Sequence, residues 1–231
     1  MEGTTRLVLA ILGGMLPAIM WLFFWLREDK EHPEPKGLIL ITFILGMITV
    51  IFVLPFEQLA KTKILNEHVL TVVWAFTEEM IKYLACALVA FRTREITEPI
   101  DYPIFLIVAA LGFAALENTL FLFPSLQMGD SVVSLLTGNL RFLGATLLHA
   151  VSSSLIGIAL GLAFFSSWLT KKFALIVGII AATALHSVFN FFIIKSDGQN
   201  FFSVFGFLWI VTIISMLLFE KLRRMSQIID A

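Results

Sequence analysis

An all-α fold of membrane-spanning helices is predicted by three features of this chain. Of its 231 residues 59% are hydrophobic and only 14% charged, with a mean hydropathy of +0.95, whereas soluble domains carry about 25% charged residues. The apolar residues gather into runs of about 20, the length that crosses a bilayer as a helix. The polar stretches between them reach only about a dozen residues, too short for a separate soluble domain. The expected architecture is a polytopic helical bundle of about seven spans plus a short interfacial or re-entrant helix, with residues 1–231 forming a single domain. A net charge of −1 gives no ground for a nucleic-acid partner. The lone Cys86 excludes an intrachain disulfide and a cysteine-based metal site.

The first run, 7–26, has no small-x-small cleavage pattern and exceeds the roughly 7–15 residues of a signal-peptide core, so it is expected to remain as a helix. A polar loop at 27–36 holds His32-Pro33-Glu34-Pro35, which cannot continue a helix. The second span is expected at 37–60 with Pro55 near its end, the third at 68–91, and the fourth at 102–123, ended by Pro124. Residues 132–169 are too long for one perpendicular span. They divide on length into a short interfacial or re-entrant piece, 132–139, and a fifth span, 140–168. The sixth and seventh spans follow at 173–194 and 201–219.

Basic residues in the short loops set the orientation. One side receives Arg27, Lys30, Lys36, Arg92, Arg94, Lys171, Lys172, Lys221, Arg223 and Arg224, and the other only Arg6, Lys61, Lys63 and Lys195. The richer side is expected to be cytoplasmic, in a multi-pass cell-membrane protein whose amino terminus lies outside and whose carboxyl terminus lies inside.

The third run carries Glu78-Glu79-x-x-Lys82 near its middle, where each charge costs on the order of 2.5–3.5 kcal/mol in lipid. On a helix Lys82 lies about 40° from Glu78 and Glu79 about 100° from it, so one carboxylate can face a wet cavity while the other is held behind it. A salt-bridged structural cluster would account for this helix alone. Three further runs, however, bring polar groups with no ordinary place in lipid: Glu117-Asn118 in the fourth, Arg141 and His149 in the fifth, with Ser153 beyond, and His186 and Asn190 in the sixth. Arg141 and His149 are eight apart and His186 and Asn190 four apart, so each pair shares a helix face.

With the expected orientation, Glu78, Glu117, His149 and His186 all fall about 6–10 residues below the outer ends of their helices, or roughly 9–15 Å deep. Nothing in the loop charges required that agreement, and it predicts a shared polar cavity. Such a cavity suits water activation by a carboxylate, with a histidine positioning the water or protonating a leaving amine, and with the His186 ring and Asn190 amide near a developing oxyanion. Gly-x-Ser-x-Gly and His-Glu-x-x-His are both absent. No cofactor is required by this chemistry. A zinc-dependent version, with His149, His186 and Glu79 as ligands, is compatible in ligand type but has no support from spacing.

Glu78-Glu79-x-x-Lys82, Glu117-Asn118-x-x-Phe121, Arg141 with His149, and His186-x-x-x-Asn190 resemble, in order, the motifs of the PrsW family of bacterial intramembrane proteases. That family is similar in turn to the CAAX-prenyl endopeptidase and bacteriocin-processing group. The resemblance covers about residues 70–194. It implies a glutamate-dependent membrane peptidase in which Glu78 and Glu79 activate water, His149 assists, His186 and Asn190 form the oxyanion site and Glu117 is also needed, supported by Lys82, Asn118 and Arg141. It further implies a single-pass membrane substrate, such as an anti-sigma factor, cut near its extracytoplasmic side. The family's second motif often ends in Tyr, where this chain has Phe121.

Two other readings compete. A proton-coupled transporter also places carboxylates and histidines in a membrane cavity, yet no internal repeat is visible and the polar groups gather toward one side instead of the midplane. An inert membrane scaffold would keep the polar cluster for packing alone.

Overall fold

A computed structural model of the chain describes residues 3–27, 33–128, 132–195 and 201–226, with side-chain positions for all of these except 132–143, 193–195, 201 and 226. The described residues form helices and turns only. The helices are α1 (Gly3–Leu26), α2 (Lys36–Lys63), α3 (Glu67–Leu88), α4 (Asp101–Gln127), α5 (Val132–Leu162), α6 (Trp168–Lys195) and α7 (Phe201–Ser226). Six of them contain stretches long and apolar enough to cross a membrane. The exception is α3, which has the length, at 22 residues, but carries Glu78, Glu79 and Lys82.

Local chemistry explains the helix ends. Asn66 caps α3 by accepting hydrogen bonds from the amides of His68 and Val69, and Glu67 in the first turn complements the positive helix end. At the start of α4, Asp101 Oδ2 accepts from the amides of Thr97 and Glu98, both at 2.7 Å. At the start of α6 the Lys172 ammonium lies 3.7 Å from the Trp168 ring centroid, a cation–π contact.

The helix at the centre is α4. Every residue from Ile104 to Ala115 is buried, the pattern of a helix apolar on all sides and enclosed by others. Around it pack α1, α2, α3 and α5, while α6 lies against α5 and α3. The outer helices keep one apolar face uncovered, as at Met20, Phe52 and Leu217, which are 68%, 60% and 66% exposed. Faces of that composition suit lipid, not water.

The closest approach of α2 and α4 falls at two glycines. A Cβ at Gly46 would strike the carbonyl of Ala109, and one at Gly112 would strike that of Phe43. Two helix backbones can touch there only because both side chains are absent. Farther along both helices, between Val50 and Glu57 on α2 and Phe113 and Phe121 on α4, they leave a cleft of about 290 Å³.

Three sequence expectations are corrected. Residues 132–139 are not a separate re-entrant piece; they are the first turns of a continuous 31-residue α5, because a broken helix in lipid leaves backbone groups unpaired while a continuous one satisfies them. That helix ends at Leu162, not Trp168, and Trp168 instead opens α6. Pro124 lies inside α4, which runs on to Gln127. Proline removes the amide that would bond the Leu120 carbonyl and its ring crowds that carbonyl, and the helix ends within three residues of it.

Replacing Gly112 with Leu is expected to destabilise the protein by about 2–3 kcal/mol through overpacking against α2, read as a lower midpoint of thermal unfolding in detergent. Gly37→Leu, at a glycine with open space around it, should leave the midpoint near that of the wild type.

Candidate active site

The polar side chains of α3, α4, α5 and α6 meet in one network inside the bundle. At its centre is Glu79, fully buried. Its Oε1 accepts from Lys82 Nζ at 2.9 Å, His186 Nδ1 at 2.9 Å and Ser152 Oγ at 3.1 Å, and its Oε2 accepts from Ser153 Oγ at 2.6 Å. Lys82, His186 and Ser153, with Ser152 sharing its one hydroxyl proton between Glu79 and the Leu148 carbonyl, compensate the removal of this carboxylate from water. Lys82, itself 0% exposed, also bonds His149 Nδ1 at 2.9 Å and stands 4.4 Å from the Phe113 ring centroid.

The partners settle the histidine tautomers. An ammonium only donates, so His149 Nδ1 accepts from Lys82 and the Nε2–H donates to Glu117 Oε2 at 2.7 Å. His186 gives its Nδ1–H to Glu79, which leaves Nε2 with a lone pair. The two imidazoles pack edge to face with centroids 5.0 Å apart.

Glu78 is placed differently. Its Oε2 is buried without a hydrogen-bond partner among the described residues, yet three nitrogens converge on it: Lys82 Nζ and His186 Nε2 at 3.7 Å and His149 Nδ1 at 3.8 Å. These distances exceed a direct hydrogen bond. The adjacent glutamates thus have separate surroundings, one with both oxygens accepting from donors and one carrying an unpaired oxygen among nitrogens.

Ligand atoms of Glu78, His149 and His186 lie within 4.8 Å of one another. Each histidine also gives its other ring nitrogen to a carboxylate, Glu117 or Glu79, the outer arrangement usual for metal-binding imidazoles. The donor set is therefore of a type that holds zinc. Its carboxylate is Glu78 rather than the Glu79 grouped with the histidines on sequence grounds, since both Glu79 oxygens are occupied. Ligation through His149 Nδ1 requires Lys82 to give up that bond and keep the one to Glu79.

Of the other expected residues, Asn118 is buried on α4 and donates to Thr146 of α5 at 2.9 Å, fastening the helices that carry Glu117 and His149. Asn190 lies one turn beyond His186, half-buried and not among the groups bonded to Glu79. Arg141 is on α5, with its side chain outside the described residues.

Two participants escape the sequence reading. Ser152 joins Ser153 on Glu79; the run Ser152-Ser153-Ser154 inside an apolar helix, all three fully buried, was the available signal. Glu57, near the end of α2, has its carboxyl group beside that of Glu78. A carboxylate inside the expected 37–60 span was its signal, obscured by nearness to the loop.

The fold and site define a polytopic membrane protein with a buried carboxylate–imidazole cluster of hydrolytic type. The family described as PrsW family intramembrane metalloprotease matches residues 34–218, and the chain belongs to that family: it is an intramembrane protease. Relatives include Protease PrsW of Shouchella clausii, 24% identical over 96% of this chain and 99% of its own. Protease PrsW of Halalkalibacterium halodurans is 26% identical over 90% and 95% of the respective chains, and that of Bacillus subtilis 24% over 86% and 90%. No solved structure matches the chain.

Lys82→Met leaves the Glu79 charge buried without its cation, and is expected to lower stability by about 3–5 kcal/mol. Glu78→Gln should cost less than about 1 kcal/mol. The Lys82→Met/Glu79→Gln pair should recover part of the loss, all measured by unfolding in mixed detergent.

Proposed function

We propose that the chain cleaves a peptide bond in a single-pass membrane protein by water activated at Glu78, with residues 1–231 acting as one peptidase domain. The observation that carries this reading is the contrast between the two glutamates: Glu79 is saturated by donors, whereas Glu78 Oε2 is unpaired among His149, His186 and Lys82. A buried carboxylate with an open acceptor can take a proton from water as the water oxygen bonds the peptide carbonyl carbon. The same proton then passes to the amide nitrogen as the C–N bond breaks, yielding a carboxylic acid and an amine, and the acid's proton then moves to the amine to give a carboxylate and an ammonium. Glu79 acts through its neighbours, fixing Lys82, His186 and both serines, and Glu117 does the same for His149.

The oxyanion role expected of His186 is narrowed by its pairing. With the Nδ1 proton given to Glu79, the Nε2 lone pair faces Glu78 and does not donate to an oxyanion in that tautomer. Asn190 is the neutral donor left in that motif, and the Lys82 ammonium, with a third N–H unused by Glu79 and His149, adds positive charge.

A metal-dependent version is favoured by one observation, the carboxylate behind each imidazole. Glu78, His149 and His186 would hold the ion, which when bound polarises a carbonyl and makes water more acidic.

The charge bias of the loops supports an outside amino terminus, an inside carboxyl terminus and cleavage in the outer half of the bilayer. The family resemblance supports an anti-sigma factor as the substrate class.

Co-expression with a tagged single-pass anti-sigma factor, followed by cleavage with purified protein, tests the reaction. Wild type should release a fragment, while Glu78→Gln and His149→Ala reduce the rate at least a hundredfold with Glu78→Gln still folded. A wild-type rate for both variants ends the proposal. In the metal-dependent version 1,10-phenanthroline stops the wild type and the purified protein holds about one zinc per chain that His186→Ala lacks; unchanged activity and no bound metal remove it.

Orientation is checked in intact cells with a membrane-impermeant maleimide. Lys63→Cys should label directly and Arg94→Cys only after permeabilisation, while Cys86, being buried, stays unlabelled. The opposite pattern would place the site in the inner half.

A further inference from the structure

We propose that the cleft between α2 and α4 is the lateral entry through which the substrate's membrane segment reaches Glu78, and that the segment lies there unwound, donating backbone amides to Glu57 and Glu117. This rests on the proteolytic reading above and adds where the substrate binds. The cleft wall and the proposed catalytic cluster share three residues. Glu57 lines the cleft and stands beside Glu78. Glu117 lines it and accepts from His149 Nε2. Phe113 lines it and stacks against His149 with centroids 5.2 Å apart.

The remaining wall is apolar and faces outward. Leu54 and Leu120 are each 44% exposed and Phe121 60%, so the cleft opens sideways, where lipid surrounds the bundle. Contact at Gly46 and Gly112 closes one end. From Val50 to Glu57, and from Phe113 to Phe121, the walls run about 10–12 Å along the helices. That length takes about three residues of extended peptide at roughly 3.3 Å each.

The two carboxyls select the occupant. An acyl chain fills apolar walls and has nothing to give a carboxylate. A helix entering from lipid already satisfies its own amides, but a protease needs extended backbone, and each amide freed in lipid needs an acceptor. Acceptors set in an otherwise apolar wall beside the proposed base answer that need.

A second apolar groove, between α3 and α6, is lined by His68, Val72, Ser187, Val188 and Phe191. It shares no residue with the cluster, which makes it the control. Single cysteines at Leu54, Leu120, Val72 and Val188, in full-length Glu78→Gln protein, carry a benzophenone maleimide; the probe is the tagged anti-sigma factor of the cleavage assay.

Irradiation should crosslink the probe from Leu54 and Leu120 at least fivefold more than from Val72 and Val188. In the active protein Leu120→Trp should raise KM at least tenfold, whereas Val72→Trp stays within twofold. Glu57→Ala should reduce kcat/KM at least tenfold, with Glu57→Gln, which keeps an acceptor oxygen, recovering most of it. Crosslinks centred on Val72 and Val188, none from any position, or an unaffected Leu120→Trp overturns the entry route while leaving proteolysis standing. A wild-type protein that cuts neither this probe nor any other single-pass protein removes the proteolytic reading and the entry route together.

Discussion

The site depends on one buried anion. Glu79 has no exposure to solvent, and a carboxylate in that position persists only if its oxygens are matched by donors. Lys82 comes from its own helix, Ser152 and Ser153 from α5 and His186 from α6. Satisfying this group therefore fixes the separation and rotation of three helices at once. The imidazole of His186 is thereby turned so that its second nitrogen faces Glu78.

Away from this charge cluster the bundle is held by apolar packing. The central α4 is apolar on every side from Ile104 to Ala115, and its glycine contact with α2 brings two backbones together where no side chain intervenes. Farther along, the same two helices separate and Glu57 and Glu117 stand in the gap. Close packing at one end and a polar cleft at the other are two results of one pairing: the glycines set the contact, and larger side chains beyond it hold the helices apart.

Much of the site was legible from composition and spacing. A charged residue inside a 20-residue apolar run is conspicuous because its energetic cost is high, so Glu78, Glu79, Lys82, Glu117, His149 and His186 could be selected without coordinates. Ser152 could not be separated from Ser153 in this way, because serine is common in membrane helices and pairs readily with its own backbone; the single Ser152 hydroxyl proton is shared between the Leu148 carbonyl at 2.7 Å and Glu79 at 3.1 Å. Glu57 lies near the end of its span, where a carboxylate can reach the interface at little cost. Only the placement of α2 against α3 shows it turned toward Glu78.

Sequence alone determined that the chain is helical and membrane-embedded and that most of the polar residues of its site belong to four particular spans. These properties follow from the length of apolar runs and the helical repeat, both local quantities. The division of labour between Glu78 and Glu79 was decided by tertiary structure, since neighbouring positions on one helix differ only in what the facing helices present to them. The continuity of α5 and the cleft between α2 and α4 were decided there too, because backbone pairing and helix separation depend on contacts between residues distant in the chain.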